Sequence, residues 1–358
     1  MKKIGIVTIN GDYNYGNRLQ NYALEQAIKS LGFEVETVIF PEKRTVRDYL
    51  REFKRGFNKK YRIEKRNFTL MNKLKSEAFL SFRQSYLNNV KYSRNEDLSN
   101  FDRFIVGSDQ VWNPSWRLID DYWLRFTTPN KRFSYAASMA TSIIHSANTN
   151  KLPLYLQEMN EISVREFESV HLIESISGKK AKLVVDPTML LEKKDYVSLI
   201  NQKDTSKVDT STPYILIYTL EGLTKELDFQ VKNISSEKGW RIMTVMGNKY
   251  HEDHEIFNPI EFIEAIKDAE LVISDSFHCG VFSILMESPF ALFNRVDGAQ
   301  MSSRITTLLS RFNMEKHFYQ GGNLECMMNI DYVEIRKKID EARMDSLNYL
   351  KFILNKSI

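Results

Sequence analysis

The residues with the clearest chemical potential lie between Leu271 and Pro289, where an apolar run breaks at Ser274-Asp275-Ser276-Phe277-His278 and resumes with the look of a helix. Serine and aspartate are the side chains that cap a helix start. The first amides of such a helix lack intrahelical partners and carry the positive end of its dipole, so they attract an anion. A histidine in the first turn can pass a proton near neutral pH beside that anion. A lone histidine more often just bonds a neighbour. Here the cap, the anion site and the imidazole coincide, and the coincidence points to catalysis by His278.

Anion chemistry also needs cations. Arg165, in Ser163-Val164-Arg165-Glu166, offers a planar fork matched to a carboxylate or phosphate. Its plain alternative is an ion pair with Glu166 or Glu168 at a solvated helix end. Arg295, after an apolar strand, and Arg304, at the start of a later helix, are the candidates for a second cation. The hydroxyls of Ser274 and Ser276 and the amides after them are expected to cradle that anion, a phosphate on the family resemblance given below. Polar loops at other strand ends carry Asn14, Asn17 and Gln20, then Asp109, Gln110 and Asn113, which supply the directional donors and acceptors that a hydroxyl-rich ligand requires. Trp112 adds a flat apolar face against which the ring of such a ligand can stack. Turn chemistry beside Gly16 competes for Asn14 and Asn17, and core packing competes for Trp112. Asp186-Pro187-Thr188 reads as a strand exit shaped by proline. His251-Glu252-Asp253-His254 has metal-compatible side chains but no third fixed ligand, so it reads as a solvated loop and no metal is expected.

The elements that must position these groups alternate strand and helix. Ile4 to Ile9 reads as a buried strand, then a helix follows with Leu19, Ala23, Ala27 and Leu31 on one face, then a strand at Val35 to Phe40. This βαβ pattern places binding loops at the carboxyl ends of parallel strands. Further strands are expected at Arg103 to Val106, Phe133 to Ala136 and Lys182 to Val185, with a helix at Leu152 to Ile162. A polar stretch, Asp204 to Pro213, reads as a linker. A second series follows, with strands at Tyr214 to Tyr218, Arg241 to Met246 and Leu271 to Ile273 and helices at Leu223 to Glu237 and Pro259 to Lys267. The expectation is an N-terminal α/β domain over 1–203, a C-terminal one over 213–330, and a helix in 331–358 that folds back across both.

A basic helical insertion is expected at about 43–80. Within it, basic residues from Lys43 to Arg66 interleave with Tyr49, Phe53, Phe57 and Tyr61, an aromatic every four residues. Such a stripe fits either an anionic membrane surface or the helix's own domain.

Bulk properties bound the rest. A chain of 358 residues suggests two domains. Its 50 basic and 46 acidic side chains leave a net charge of +4, which does not indicate nucleic-acid binding. Cys279 and Cys326 are too few for a disulfide framework, and a reducing cytoplasm fits. The short first apolar run is neither a secretory segment nor a membrane span. The absence of a Walker loop or GxGxxG after the first strands argues against a nucleotide triphosphate or dinucleotide enzyme.

Taken together, Asn14-Tyr15-Gly16-Asn17-Arg18-Leu19-Gln20-Asn21-Tyr22-Ala23-Leu24, Gly107-Ser108-Asp109-Gln110-Val111-Trp112-Asn113-Pro114, Ser163-Val164-Arg165-Glu166, Asp186-Pro187-Thr188 and Ser274-Asp275-Ser276-Phe277-His278 resemble the polysaccharide pyruvyl transferase family, in family order. The resemblance implies a GT-B-like α/β fold with two Rossmann-type domains facing across a cleft. It also implies transfer of pyruvate from phosphoenolpyruvate to a sugar as a ketal, in surface-polysaccharide biosynthesis in the bacterial cytoplasm. His278 would then be the acid–base, and phosphoenolpyruvate a co-substrate with no further cofactor. The acceptor would be a sugar or lipid-linked oligosaccharide, the latter giving the basic segment a reason to touch the membrane periphery. The basic residue that many members carry two before the histidine is absent, which leaves Arg295 or Arg304 to replace it. The competing readings are a GT-B glycosyltransferase using a nucleotide sugar and a non-catalytic sugar-binding protein of the same fold.

Overall fold

The computed structural model describes residues 2–11, 13–41, 59–93, 96–116, 118–141, 143–203, 205–247, 251–295 and 302–357. Two parallel sheets with flanking helices form it, an α/β architecture of the GT-B-like kind the sequence leads one to expect. The first sheet is built from β1 (Lys3–Val7), α1 (Tyr15–Ser30), β2 (Glu34–Ile39), α2 (Lys59–Tyr86), β3 (Asn89–Lys91), β4 (Arg103–Val106) and β5 (Arg132–Ser134), with strand order β3-β2-β1-β4-β5. The central strands are buried on both faces, which is why they read as unbroken apolar runs. Beyond this sheet come α3 (Leu152–Gln157), β6 (Ser163–Val164), α4 (Phe167–Ser177), β7 (Lys182–Leu183) and α5 (Lys193–Asn201). β6 and β7 pair with each other, and single bridges from Phe133 to Glu161 and from Ala137 to Val164 join them to the edge at β5.

The second sheet contains β8 (Tyr214–Tyr218), α6 (Lys225–Lys238), β9 (Arg241–Val245), α7 (Pro259–Lys267), β10 (Leu271–Ser274), α8 (Phe277–Met286) and β11 (Phe290–Leu292), in the order β11-β10-β8-β9. Two more helices, α9 (Ser302–Arg311) and α10 (Val333–Asn355), follow.

Several elements stop earlier than their apolar pattern suggests, each for a local reason. β1 ends at Val7 because the Thr8 hydroxyl turns to donate to the Ser108 carbonyl at 3.2 Å. β5 ends at Ser134, and the left-handed φ of 52° at Ala136 breaks the extended run. α3 stops at Gln157 rather than Ile162 because the sheet edge recruits the backbone after it: Asn160 donates to the Arg132 carbonyl and Ser134 donates to that of Glu161. Of the basic segment 43–66, residues 43–58 lie outside the described residues, and α2 begins at Lys59. Among the described residues no helix is long and apolar enough to cross a membrane.

The two sheets share one apolar core. Tyr15 at the start of α1 stacks on Phe262 of α7 at 4.2 Å and meets Phe79 and Tyr218 edge-on or tilted. Its hydroxyl donates to the Phe257 carbonyl at 3.1 Å and accepts from the Phe257 amide at 3.2 Å. α10 contacts both halves of the chain. Its Arg343 donates to the Met189 carbonyl and its Ser346 accepts from the Val185 amide, while Arg336 grips Glu287 through two bonds. From β4, Arg103 reaches the carbonyls of Ile353 and Lys356.

Lys75 of α2 is buried at the same seam. Its ammonium donates to the Tyr13 carbonyl at 3.2 Å and to the Gly247 carbonyl at 2.8 Å and lies 5.3 Å from the Tyr15 ring centroid. Burial pushes its pKa down to about 7. The unfolded chain keeps this proton to about pH 10, so between roughly pH 7 and 10 unfolding takes up a proton and stability rises with pH. Below that window the penalty of burying the charge is fully present. Replacing Lys75 with Met is expected to flatten that rise, measured as urea midpoints across the pH series. An unchanged slope would show that the Lys75 ammonium titrates as it does in water.

Candidate functional site

The end of β10 and the start of α8 are fixed by short-range hydrogen bonds. The Ser274 hydroxyl donates to the Tyr218 carbonyl at 2.5 Å and accepts from the Ser276 amide at 3.1 Å. Asp275 accepts from the amides of Leu220 at 2.7 Å and Glu221 at 3.2 Å, tying the exit of β8 to the helix start. Ser276 caps α8 by accepting from the Cys279 amide. The wholly buried Ser274 hydroxyl, committed to Tyr218 and Ser276, is withdrawn from the expected phosphate cradle, whereas Ser276 uses only an acceptor lone pair for its cap. Both hydroxyls build the helix start, and Ser274 is wholly buried. Their effect is to hold His278 in one place.

From the first sheet's side three strand exits converge on that histidine. β6 leads into Arg165 and Glu166, β7 leads to Asp186, and β4 leads to Gly107-Ser108-Asp109. One Arg165 nitrogen, Nη1, donates to Asp186 Oδ2 at 2.5 Å and to the Ser108 hydroxyl at 3.1 Å. Nη2 donates to Asp109 Oδ1 at 3.1 Å, and Nε to Glu166 Oε1 at 3.3 Å. The Phe277 ring lies 4.4 Å from the guanidinium carbon, a cation–π distance. His278 Nε2 is 3.6 Å from Asp186 Oδ2 and 3.5 Å from Arg165 Nη1. The predicted pairing of Arg165 with Glu166 is present, but in a buried cluster of three carboxylates rather than at a solvated helix end.

Burial alone would raise the carboxyl of Asp186, yet His278 and Arg165 outweigh it and hold that group far below the usual carboxylate range. The same balance, with Arg165, His278 and Arg304 as the cations, keeps Asp109 ionised. Arg304 of α9 lies 3.9 Å from Asp109 Oδ1. Burial, and then the neighbouring Arg165, lower its pKa to about 10. Arg295 adds to that lowering and also acts on Asp275, so both predicted replacement cations are near the site, with Arg295 half-buried at its rim. Arg304 thus adds a cation beside a cluster in which Arg165 is already surrounded by three carboxylates.

Two glycines allow this convergence. A Cβ on Gly107, whose φ is 122°, would sit 2.2 Å from the Tyr135 carbonyl oxygen. A Cβ on Gly16, in the first turn of α1, would sit 2.1 Å from His278 Nδ1. Asp109 holds a φ of 64°, a costly conformation for a residue with a side chain. It is held there because its carbonyl accepts from Ser138 and Val111 while its carboxylate takes Arg165.

The expected acceptor residues divide. Asn14 is the N-cap of α1, accepting from the Asn17 amide at 3.2 Å, as turn chemistry requires. Asn17 is buried, and its Oδ1 has no hydrogen-bond partner among the described residues. Gln20 is wholly buried: it donates to Thr8 and the Asn17 carbonyl and accepts from the Ser108 amide, so it braces the site loop and does not face a ligand. Gln110 accepts from Asn113. Trp112 is corrected outright. It is fully buried, stacks on Trp123 at 4.7 Å, and donates its indole N–H to the Tyr122 carbonyl. Trp116, four residues on, is half exposed and helps line a groove of about 810 Å³ at the carboxyl ends of β1 and β2, with Tyr13, Phe40, Asn10, Asp120 and Asp121.

The sequence reading gave Asp186 only a turn-shaping role and assigned Ser108 and Gly16 no role in the site. Asp186 does cap the turn after it, Oδ1 accepting from the Thr188 amide and hydroxyl. That role uses one carboxylate oxygen and leaves Oδ2 for Arg165, Ser108 and His278. An aspartate that caps with one oxygen always has a second to place, and that was the available signal.

No curated protein matches the chain. Among solved structures it is similar to UDP-GlcNAc 2-epimerase from Neisseria meningitidis, at 11% identity and a TM-score of 0.46, covering 98% of this chain and 100% of that one. The enzyme of the same name from Methanocaldococcus jannaschii gives 10% identity and a TM-score of 0.48, covering 97% and 99%. An alpha-glucosyltransferase in complex with UDP and a 13-mer DNA gives 12% and 0.44, covering 97% and 94%. The polysaccharide pyruvyl transferase family model matches residues 14–297, which span α1, the Arg165 cluster and His278. By that match the chain belongs to the polysaccharide pyruvyl transferase family.

Proposed function

We propose that this protein transfers pyruvate from phosphoenolpyruvate to a sugar, forming a ketal on a surface-polysaccharide precursor. The observation that carries the reading is the meeting of His278 from the second sheet with the ionised Asp186, Arg165 and Asp109 from the first, beside the added cations Arg304 and Arg295. Phosphoenolpyruvate brings a carboxylate and a phosphate. In this reading Arg304 and Arg295 would meet them, Arg165 being already surrounded by carboxylates.

In the reaction, His278 gives a proton to the methylene carbon and makes the adjacent carbon electrophilic. A sugar hydroxyl attacks that carbon and loses its proton, and the carbon–oxygen bond to phosphate then breaks, its electron pair leaving with inorganic phosphate. A second hydroxyl of the same sugar attacks the carbon that phosphate has left and closes the ketal; of the two hydroxyl protons, one restores His278 and the other leaves with the phosphate. Asp186, held ionised, orients the imidazole and offsets its positive charge. The groove with Trp116 and Tyr13 as apolar faces and Asn10, Asp120 and Asp121 as polar edges suits a sugar acceptor. Thr8 in the groove wall bonds to Ser108, which bonds to both Arg165 and Asp186, so groove and site are contiguous. A cytoplasmic enzyme acting on a lipid-linked precursor would give the basic segment 43–66 its use.

Calorimetry with phosphoenolpyruvate and with nucleotide sugars tests the reading. Binding of a nucleotide sugar and indifference to phosphoenolpyruvate would overturn it in favour of a glycosyltransferase.

His278→Gln is expected to keep the fold and lower turnover at least about 100-fold, the loss typical of a missing acid–base; phosphate release from phosphoenolpyruvate measures it. Gly16→Ala is expected to cut turnover as His278→Gln does, because its methyl group displaces the ring, and near-normal turnover with an unchanged circular dichroism spectrum would refute that contact. Arg304→Ala is expected to weaken donor binding by about 2–3 kcal/mol. Arg165→Ala is expected instead to destabilise the fold by about 3–5 kcal/mol, since it strands three carboxylates. Titration calorimetry and thermal unfolding of the two variants separate those roles.

A further inference from the structure

The loop between β9 and α7 gathers donors that the reaction above does not use. His251 and His254 close a turn in which the His254 amide donates to the His251 carbonyl at 3.4 Å, and their rings stack with centroids 4.4 Å apart. Asp253 joins them, so that one ligand atom from each of the three lies within 4.8 Å of the others. The sequence reading expected no third fixed ligand here; the fold brings the exposed Asp253 within range of both imidazoles. His254 Nδ1 is buried and has no hydrogen-bond partner among the described residues.

We propose that His251, Asp253 and His254 bind one first-row divalent transition metal, with zinc the best match. Two imidazoles and one carboxylate are a borderline donor set that favours zinc, cobalt, nickel or copper over magnesium and calcium, which prefer all-oxygen shells. Three protein donors leave a coordination position for water.

The loop's place gives the metal a structural use. Its ends return to the sheet edge, where the Met246 amide donates to the Glu255 carbonyl and the Glu255 amide to that of Thr244. Its flanks carry the two contacts that reach the first sheet's side, Gly247 with Lys75 and Phe257 with Tyr15. A metal at the tip would hold those flanks in register. His278 lies at the exit of β10, two strands across in the sheet order, so this centre is separate from the catalytic one.

Zinc titration of the chelator-stripped full chain by calorimetry tests the proposal. One equivalent is expected to bind with micromolar or tighter affinity. The His251→Ala/His254→Ala double variant is expected to lose it, and Asp253→Asn to weaken it roughly tenfold, on the scale by which mutations around a metal site lower affinity. His145→Ala/His171→Ala and His278→Gln are expected to bind as the parent does. Zinc should raise the melting temperature of the parent and not of the double variant, and cobalt should give the visible absorption of a four- or five-coordinate imidazole site. Undiminished zinc binding in the double variant, loss of it in His278→Gln, or affinity no better than millimolar would overturn the proposal.

Discussion

The structure turns on a buried guanidinium. Arg165 is almost wholly enclosed, and it survives there only because Asp186, Asp109 and Glu166 surround it at hydrogen-bond distance. Burying one charge is costly, and burying four is tolerable only when geometry satisfies nearly every donor and acceptor. Those partners arrive from the exits of β4, β6 and β7, so three otherwise independent loops must each end in the right place. The cluster thus acts as a template for backbone as much as for charge. Ser108 shows this, since its hydroxyl serves Arg165, Asp186 and the Ala136 carbonyl at once.

Parallel α/β sheets make such convergence easy, because all their strands end on the same side. Each sheet brings its carboxyl edge to the same region, and the core around Tyr15 and Phe262 keeps the two edges together. The first sheet contributes fixed charge, mostly negative. The second contributes the titratable imidazole and, with the chain after it, the extra cations Arg295 and Arg304. Neither half would form the site alone.

How much of this was legible followed from how local each signal is. The strands Arg103–Val106 and Tyr214–Tyr218 and the helix Pro259–Lys267 coincide with their sequence expectations, because an apolar run or a proline start fixes them without outside help. The cap at Ser276 and the position of His278 were readable for the same reason. The fate of Arg165 was not, because its partners lie 21 and 56 residues away in the chain. Trp112 and Trp116 differ by four residues and share a side chain, yet one is core and the other lines the groove. Only the packing of Trp123 on Trp112 decides between them. The boundaries of β1, β5 and α3 were misjudged wherever a side chain or a distant strand claimed the last backbone groups.

The contact of Gly16 with His278 is backbone against ring, with no side chain between to absorb a change. It therefore works as a mechanical stop. Where two packed surfaces meet through long side chains, a small slide is taken up by rotamers and never reaches the chemistry. Here the helix of one half bears directly on the reactive ring of the other, so a slide of even an ångström is passed undiminished to the atom that moves the proton. Ring placement and the closeness of the two halves become one coordinate. Whatever loosens the seam, heat, a distant substitution or an ill-fitting acceptor, would be read first as misaligned chemistry, well before it registered as unfolding.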